Sequence, residues 1–489
     1  MSRLIDGMEN AGNVTTTQNG AVTPKTTKSA LLDWFSLSGA MRDRTDKDVT
    51  DLFAKAFSEN PEYALRSLFY LRDIRGGLGE RKVFRTILKF LAIYDPKNLK
   101  ANLHLIPEMG RWDDLWELLG TQVEREVIDL VRVQRGLDLQ DMMARKPVSL
   151  MYRWLPSENT SSPNTRRQAS LIRHYLGLTP RKYRKELSTF RAYMKVVEVT
   201  MSARRWTQIK YDSVPSRASM IYRNAFKKHD AIGYRKYLAG LVRGTRKINA
   251  STLYPYDLVR LFLTNQYAGS ETLDAQWNAL PNYLPEDFGN AIVVADVSGS
   301  MTTPNYLPIA SSIGLAMYLS ERNVGIFKNS FITFSAEPDI IKIQGHTLGD
   351  KIQNMNRAKW NMNTNLQAVF DLILNTAVSN HLSVSEMPSK IFIISDMEFD
   401  VATNGFSNFK TIDMKYSNAG YPRPTLIFWN VNASSTMAPV TKSEKGVILV
   451  SGQSPVIFKS VLNSKEITPY DTMIETLNNP RYSAVKYNR

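Results

Sequence analysis

The sequence of 489 residues contains no cysteine, and this absence excludes disulfide bonds, thiolate catalysis and zinc sites built on cysteine. Histidine is scarce as well. The five histidines are His104, His174, His229, His346 and His381, and none of them lies in a recognisable catalytic motif. Because a serine nucleophile needs a base such as histidine, we do not expect serine catalysis.

Long apolar runs and phosphate-binding loops are also missing. No stretch approaches the roughly eighteen apolar residues of a transmembrane helix, so we expect no membrane partner. The start of the chain, Met1-Ser-Arg-Leu-Ile-Asp-Gly7, lacks the apolar centre of a secretory signal, which favours a cytoplasmic protein. The segment Gly76-Gly-Leu-Gly79 lacks a following Gly-Lys-Ser/Thr and lies between two helix-like segments. We interpret it as a helix–helix turn.

Positive charge is abundant but concentrated in one segment. The whole chain carries a net charge of +16, whereas Gln140 to Ala250 alone contains 24 Lys and Arg against 6 Asp and Glu, a net charge of +18. Lys and Arg neutralise phosphates, and aromatic residues among them offer surfaces on which unpaired bases stack. The aromatic residues of this segment include Tyr183, Trp206, Tyr211, Tyr222, Tyr234 and Tyr237.

The basic segment predicts contact with nucleic acid. The candidate residues are Arg166, Arg167, Arg181, Lys182, Arg184, Lys185, Arg204, Arg205, Trp206, Lys227, Lys228, Arg243, Arg246 and Lys247. Two other interpretations stay open, because a basic run is also typical of solvated helix faces and of surfaces that dock an acidic protein.

The periodicity of apolar residues divides the chain into two regions. From about Leu31 to Tyr283 the spacing is helical, with Gly and Pro turns that predict stacked helix pairs, an α-solenoid of HEAT-like repeats. From about Gly289, short apolar strands alternate with helices, which predicts a doubly wound parallel sheet. The predicted strands are 291–296, 329–335, 390–396, 425–429 and 446–450, and the predicted helices are 309–322, 366–377 and 455–462.

The segment Ile292-Val-Val-Ala-Asp296-Val-Ser298-Gly-Ser300-Met301 combines a buried strand with polar residues at its carboxyl end. Open α/β sheets bind their ligands at that edge, and carboxylate and hydroxyl oxygens suit a hard cation such as Mg²⁺. Taken alone, Asp and Ser at these positions are also common in capped turns.

Asp296-x-Ser298-x-Ser300 resembles the metal-ion-dependent adhesion site of von Willebrand factor A domains. Two further ligands of that family match Thr364, which precedes a helix-like run, and Asp396, which ends an apolar strand. The resemblance implies that Mg²⁺, or Mn²⁺ in its place, is held directly by the hydroxyls and through water by the carboxylates. A protein partner would then donate an acidic residue to the open position of the ion.

The order of a helical region followed by such a domain resembles a little-characterised family of bacteria, phages and plants, and the Ro autoantigen (TROVE-domain) proteins. We therefore expect a flexible arm at 1–28, a basic helical-repeat domain at 29–285, a Rossmann-like von Willebrand factor A domain at 286–465 and a C-terminal tail at 466–489. The function that the resemblance implies is a non-enzymatic, Ro-like RNA-binding scaffold.

Two other functions stay open. The first is a protein–protein adaptor that uses the metal site to engage an AAA+ ATPase or a transcription or nucleic-acid machine, with contact to DNA. The second is a metal-dependent nuclease, for which Asp396-x-Glu398-x-Asp400 supplies extra carboxylates.

Overall fold

The computed structural model of the chain describes residues 12–264, 271–286, 288–357, 364–400, 408–459 and 468–488. Within these ranges the N-terminal half is helical, and the C-terminal half contains a six-stranded sheet flanked by helices. The predicted combination of an α region and an α/β region is therefore confirmed. None of the described helices is both long and apolar enough to span a membrane.

The helical region begins many of its helices with a polar cap or a proline. Asn60 accepts a hydrogen bond from the Tyr63 amide at 3.1 Å, and Pro61 occupies the first turn, where a missing N–H costs nothing. The helices are α1 (Ala30–Leu37), α2 (Asp46–Glu59), α3 (Pro61–Arg72), α4 (Lys82–Tyr94), α5 (Pro96–Asn102), α6 (Leu105–Met109), α7 (Glu124–Met143), α8 (Met151–Trp154), α9 (Pro163–Tyr175), α10 (Pro180–Tyr193), α11 (Val197–Ser202), α12 (Ser216–His229), α13 (Ala231–Val242), α14 (Pro255–Leu263) and α15 (Glu271–Asn278).

The sheet of the α/β region has the strand order β5-β4-β3-β6-β7-β8. Its strands are β3 (Ala291–Ala295), β4 (Ser330–Thr333), β5 (Ile340–Lys342), β6 (Lys390–Ser395), β7 (Thr425–Asn430) and β8 (Val447–Ser451). All neighbours pair in parallel except β4 and β5, which are antiparallel. The five strands predicted from the sequence are confirmed, whereas the three-residue edge strand β5 was too short to be recognised.

Helices cover both faces of this sheet. They are α16 (Leu307–Arg322), α17 (Leu348–Asn356), α18 (Leu366–Ser379), α19 (Asn408–Asn418) and α20 (Pro469–Leu477). Alternate strand residues enter different cores: Val293 and Phe392 join a core shared with the helical region, while Ile292 and Ile391 pack with α18 and α19. The predicted helix at 455–462 is present only as a 3-10 turn at Pro455–Lys459, and the residues after it lie outside the described ranges.

The helical region contacts the α/β region at both of its ends. Near the first end, Gly39 donates its amide to Ser451 Oγ at 3.1 Å, and a Cβ on Gly39 would lie only 2.7 Å from the Ser451 carbonyl oxygen. Near the second end, α14 packs on α16, where a Cβ on Gly314 would lie 3.0 Å from the Tyr256 amide nitrogen. Glycine is required at both contacts because two backbones approach closely.

The expected flexible arm at 1–28 is wrong for residues 14–24, and residues 1–11 lie outside the described residues. Strands β1 (Val14–Thr16) and β2 (Val22–Pro24) form an antiparallel hairpin. Ala21 is buried against the sheet, and the Thr23 hydroxyl donates to the Ala438 carbonyl oxygen at 2.8 Å. Thr17, Asn19 and Thr23 donate side-chain hydrogen bonds to backbone carbonyl oxygens of the α/β region.

The C-terminal segment packs on the first helices of the chain. Arg481 forms an ion pair with the fully buried Asp73, and the Tyr482 hydroxyl donates to the same carboxylate at 3.1 Å. Further along, the Lys486 amide donates to Asn102 Oδ1 at 2.9 Å. The two ends of the chain are therefore tied to regions remote from them in sequence.

Candidate metal centre and nucleic-acid interface

The candidate metal centre lies where the sheet changes its direction of winding. From β3 the chain continues to β4 on one side, and from β6 it continues to β7 on the other side. Ala295 of β3 lies opposite Ile394 of β6, so Asp296 and Asp396 follow at the carboxyl ends of adjacent strands. A crevice of this kind is where open α/β sheets bind ligands.

Asp296 is fully buried and firmly oriented. Its Oδ1 accepts a hydrogen bond from the Ser298 amide at 2.9 Å, and its Oδ2 accepts one from the Ser395 hydroxyl at 2.7 Å. Burial, together with the charge of the neighbouring Asp396, raises the pKa of Asp296 to about 6. A buried carboxylate whose pKa is raised by a second carboxylate beside it marks a place where a cation is favourable.

The structure brings Ser298, Ser300 and Asp396 together beside Asp296. The Ser298 and Ser300 hydroxyl oxygens lie 3.1 Å apart, and Ser300 hydrogen-bonds to the Asp396 carboxylate. Burial raises the pKa of Asp396, which is only 3% exposed, whereas Ser300 is exposed. The buried carboxylates thus meet solvent through the two serine hydroxyls.

Thr364 contacts the loop that follows Asp396 rather than a carboxylate of the pair. Its hydroxyl lies 3.0 Å from the Glu398 carbonyl oxygen and 3.0 Å from Asp400 Oδ2, and its amide also donates to Asp400. The structure therefore places Thr364 at the edge of the site, where it contacts residues that follow Asp396 by two and four positions. Residues 358–363, which precede it, lie outside the described ranges.

The N-terminal hairpin covers the same loop. The Gln18 amide donates to Glu398 Oε2 at 2.8 Å, Asn19 Nδ2 donates to the Glu398 carbonyl oxygen at 2.7 Å, and Gly20 pairs with Asp400 as an isolated β-bridge. Glu398 and Asp400 thus hold the hairpin and Thr364 in place. Both side chains therefore have structural contacts in addition to any role at the metal site.

The donor set fits a hard cation better than a metal that prefers nitrogen or sulfur ligands. No group of three or more His, Cys, Asp or Glu residues with metal-binding spacing occurs in the part of the chain that the structure describes. The site instead combines two buried carboxylates with serine hydroxyls, and oxygen donors of this type suit Mg²⁺ or Mn²⁺. The residues present therefore fit such an ion.

Two contributors to this site were missed from the sequence. Ser395 bridges the two strands, because its hydroxyl donates to Asp296 and accepts the Met397 amide at 3.1 Å. Met397 has a left-handed backbone with φ of 67°, which is unusual for a bulky residue and occurs preferentially at functional sites. The position of Ser395 directly before Asp396 at the strand end could have indicated its role. Nothing in the sequence indicated the left-handed backbone of Met397.

The structure places the predicted nucleic-acid residues on the surface of α9 to α13 and their connections. Twelve of the fourteen are exposed, and the two exceptions, Trp206 and Lys227, are half-buried. Among the described residues, only Arg184 and Arg246 of this set form ion pairs, with Glu158 at 3.5 Å and Asp212 at 2.6 Å. Most of these cations are therefore available to phosphates.

The aromatic residues of the basic segment have a different role from the one predicted. Tyr211, Tyr234 and Tyr237 pack on one another in a small apolar cluster of α11 to α13, and Tyr183 is buried as well. Trp206 reaches the surface in part and stacks on His229 with ring centroids 4.4 Å apart. Of the proposed stacking surfaces, Trp206 and the half-buried Tyr222 alone remain accessible.

Comparison with protein families gives two matches, both described as domains of unknown function. The DUF2828 family matches residues 17–153 and 149–287, and the DUF7788 family matches residues 290–486. Since the first match covers more than half of the 489 residues, the chain belongs to the DUF2828 family.

Similarity to individual proteins extends over nearly the whole chain. A protein of Acanthamoeba polyphaga mimivirus, described as uncharacterized protein L728, is 28% identical over 505 residues, which cover 95% of this chain and 87% of that protein. Among solved structures, the crystal structure of the Deinococcus radiodurans RO (RSR) protein is similar with a TM-score of 0.45 and 14% identity, covering 94% of this chain and 99% of that one.

Proposed function

We propose that this chain is a non-enzymatic RNA-binding scaffold whose basic helical surface holds RNA and whose α/β region carries a magnesium-dependent site for a protein partner. The observation that supports RNA binding most directly is the exposed, largely unpaired set of cations on α9 to α13. A segment with a net charge of +18 that stays in solvent attracts a polyanion and binds it through phosphate neutralisation.

RNA binding is tested by charge reversal at Arg204 and Arg205, which are exposed and form no ion pair among the described residues. Affinity for a fluorescent single-stranded RNA is measured by anisotropy across a salt series. If the two arginines contact phosphates, R204E/R205E weakens binding and reduces the salt slope by about 1.4, since each phosphate contact contributes about 0.7 on single strands.

A matched control variant carries the same charge change on the α/β region. Lys328 and Lys342 are exposed there and lie outside the basic segment. K328E/K342E should bind with nearly wild-type affinity and salt slope. Equal losses in both variants would mean that only the net charge matters, and an unchanged R204E/R205E would refute the proposed surface.

The metal part of the proposal assigns Asp296, Ser298, Ser300, Thr364 and Asp396 to the ion. When bound, Mg²⁺ would supply a Lewis-acidic position for a carboxylate of a partner protein. The residues of the chain orient this position: Ser395 and the Ser298 amide hold Asp296, and the exposed Ser300 keeps the site open to solvent. This accessibility also favours the adaptor function, in which partner capture through the site is the main activity.

Thermal unfolding with increasing Mg²⁺ tests the metal site. A ligand that binds only the folded state at a hundred times its dissociation constant stabilises it by about 2.7 kcal/mol, so the wild-type midpoint should rise with Mg²⁺. In Asp296→Asn this rise should disappear, whereas it should persist in Asp43→Asn, which changes an exposed aspartate of the helical region. A wild-type midpoint temperature that changes with neither Mg²⁺ nor Mn²⁺ would disprove the assignment.

A further inference from the structure

A cavity of about 500 Å³ lies within the basic segment, apart from the candidate metal centre. It opens at the seam between two apolar clusters. Val148 and Met194 on its wall pack against the main core, whereas Val197 and Val214 belong to the small cluster of α11 to α13. Its volume lies within the range of small-molecule and cofactor sites, which often occur at such seams.

Cations outnumber anions on the wall of this cavity. Arg153, Lys195 and Lys210 line it together with a single carboxylate, Glu198. Lys195 and Lys210 are exposed and Arg153 is half-buried, and none of the three forms an ion pair in the part of the chain that the structure describes. Three unpaired cations around one concave site favour an anionic ligand.

The helices around the cavity end in an unusual way. Arg145, Lys195 and Arg204 follow α7, α10 and α11 in the left-handed conformation, with φ of 56°, 54° and 55°. Two other helices of the same region, α9 and α13, fill this position with Gly177 and Gly244. Glycine is the usual residue there, because the Cβ of any other residue lies too close to the following carbonyl oxygen in this conformation.

The favourable interaction of a cation with the helix dipole at a carboxyl end is smaller than this conformational cost. The basic residues at these three positions are therefore not explained by helix stability alone. Lys195 lines the cavity itself, and Arg204 ends the helix that contributes Thr200 to its wall.

Glu198 adds a hydrogen-bond acceptor to this basic wall. Its Oε1 accepts the Tyr222 hydroxyl at 3.2 Å, whereas its Oε2 is buried and has no partner among the described residues. An N–H donor of a ligand would satisfy this oxygen, because a buried carboxylate oxygen without a partner is unfavourable.

We propose that this cavity binds one phosphate-bearing nucleotide, with Arg153, Lys195 and Lys210 on its phosphate and Glu198 on an amino group of its base. The inference rests on the proposed function in expecting nucleic acid as the source, and a free nucleoside monophosphate has the same chemistry. Adenine, cytosine and guanine carry this amino group, whereas the ring N–H of uracil lies between two carbonyl oxygens that a carboxylate would repel.

Calorimetric titration of the full chain with AMP, UMP and adenosine tests the ligand chemistry. We expect AMP to bind at least about tenfold more tightly than adenosine, because charge-assisted hydrogen bonds to phosphate are lost with the phosphate. AMP should also bind more tightly than UMP. In Glu198→Gln the preference should reverse, since the amide would keep its oxygen toward Tyr222 and present its NH₂ group to the uracil oxygen.

Lys195→Gly separates a ligand contact from a role in the fold. The substitution relieves the left-handed strain and should raise the thermal midpoint, while AMP affinity falls by about tenfold. Lys210→Ala should lower AMP affinity without a rise in stability, and K328A/K342A on the α/β region should change neither. Unchanged AMP binding in both cavity variants would overturn the assignment.

The source of the nucleotide is decided by competition with RNA. If AMP displaces the unpaired nucleotide of a short single-stranded RNA, the cavity binds a strand; if both bind together, it binds a free nucleotide. Absence of mononucleotide binding, with RNA binding still weakened by R204E/R205E, would refute the cavity alone. If the protein binds mononucleotides but does not bind RNA, the proposed scaffold function is refuted instead.

Discussion

The buried ion pair of Arg72 and Asp114 should be the most sensitive electrostatic contact of the helical region. Arg72 is 2% exposed and Asp114 is fully buried, with Arg72 Nε 2.7 Å from Asp114 Oδ2. Arg85 Nε donates to the other carboxylate oxygen at 2.7 Å, and the Arg111 amide donates to Oδ2 at 3.0 Å. One carboxylate therefore neutralises two guanidinium groups and fixes the turn before Trp112.

Asp114→Asn keeps the shape of the side chain but removes its charge. The amide nitrogen would face one of the arginine donors, and the buried Arg72 would lose its counter-charge. Removing one partner of a buried pair costs about 3–5 kcal/mol, so the unfolding transition in urea, followed by tryptophan fluorescence, should move to clearly lower denaturant. Far-ultraviolet circular dichroism of the native state checks that the variant still folds.

The matched control is Asp129→Asn. Asp129 pairs with Arg132 on the surface of α7, where the two side chains are 65% and 54% exposed. Solvent screens such pairs, so this variant should unfold at the wild-type denaturant concentration. A loss below about 1 kcal/mol in Asp114→Asn, similar to an exposed pair, would refute the reasoning from burial.

Two further predictions concern the ends of the chain. Burial raises the pKa of Asp33 to about 6. Its protonation therefore stabilises the fold below about pH 4, and this contribution is lost as the pH rises through 6. In urea titrations, Asp33→Asn should be more stable than wild type by up to about 3 kcal/mol at pH 8 and equally stable at pH 4. Arg481→Ala removes the charged partner of the fully buried Asp73 and should destabilise the chain by about 1–3 kcal/mol. Limited proteolysis should then cut the segment after α20 faster than in wild type, and equal cutting rates would contradict the docking role.

The candidate metal centre was largely visible in the sequence because its signals are local. A buried parallel strand is apolar on both faces, so the first polar residue marks its carboxyl end, as at Asp296 and Asp396. Adjacent strands then place such ends together, and the structure shows Asp296, Ser298, Ser300 and Asp396 in contact. The position of Thr364 depends on loops whose course no periodic pattern encodes, and it lies at the edge of the group.

Composition correctly predicted an exposed basic surface, but the prediction that its tyrosines are exposed stacking surfaces was mostly wrong. Charged side chains must stay in solvent unless paired, so the exposure of Arg204 and Arg205 follows from their chemistry. Tyrosine is amphipathic, and its place depends on whether a neighbour can cover its ring. Tyr211, Tyr234 and Tyr237 cover one another, which only the packing of α11 to α13 decides.

The amino-acid sequence alone predicted the division into a helical and an α/β region, five of the six strands of the sheet and most of the polar residues at its carboxyl edge. These features follow from periodicity and charge over short windows, where burial is dictated by neighbours along the chain. The tertiary structure decided the docking of the hairpin at 14–24 on Glu398, the contact of Arg481 with Asp73, and the cavity at Lys195. Each of these depends on residues from separate elements, most of them far apart in the sequence, and their polar groups find partners only when the complete chain has packed.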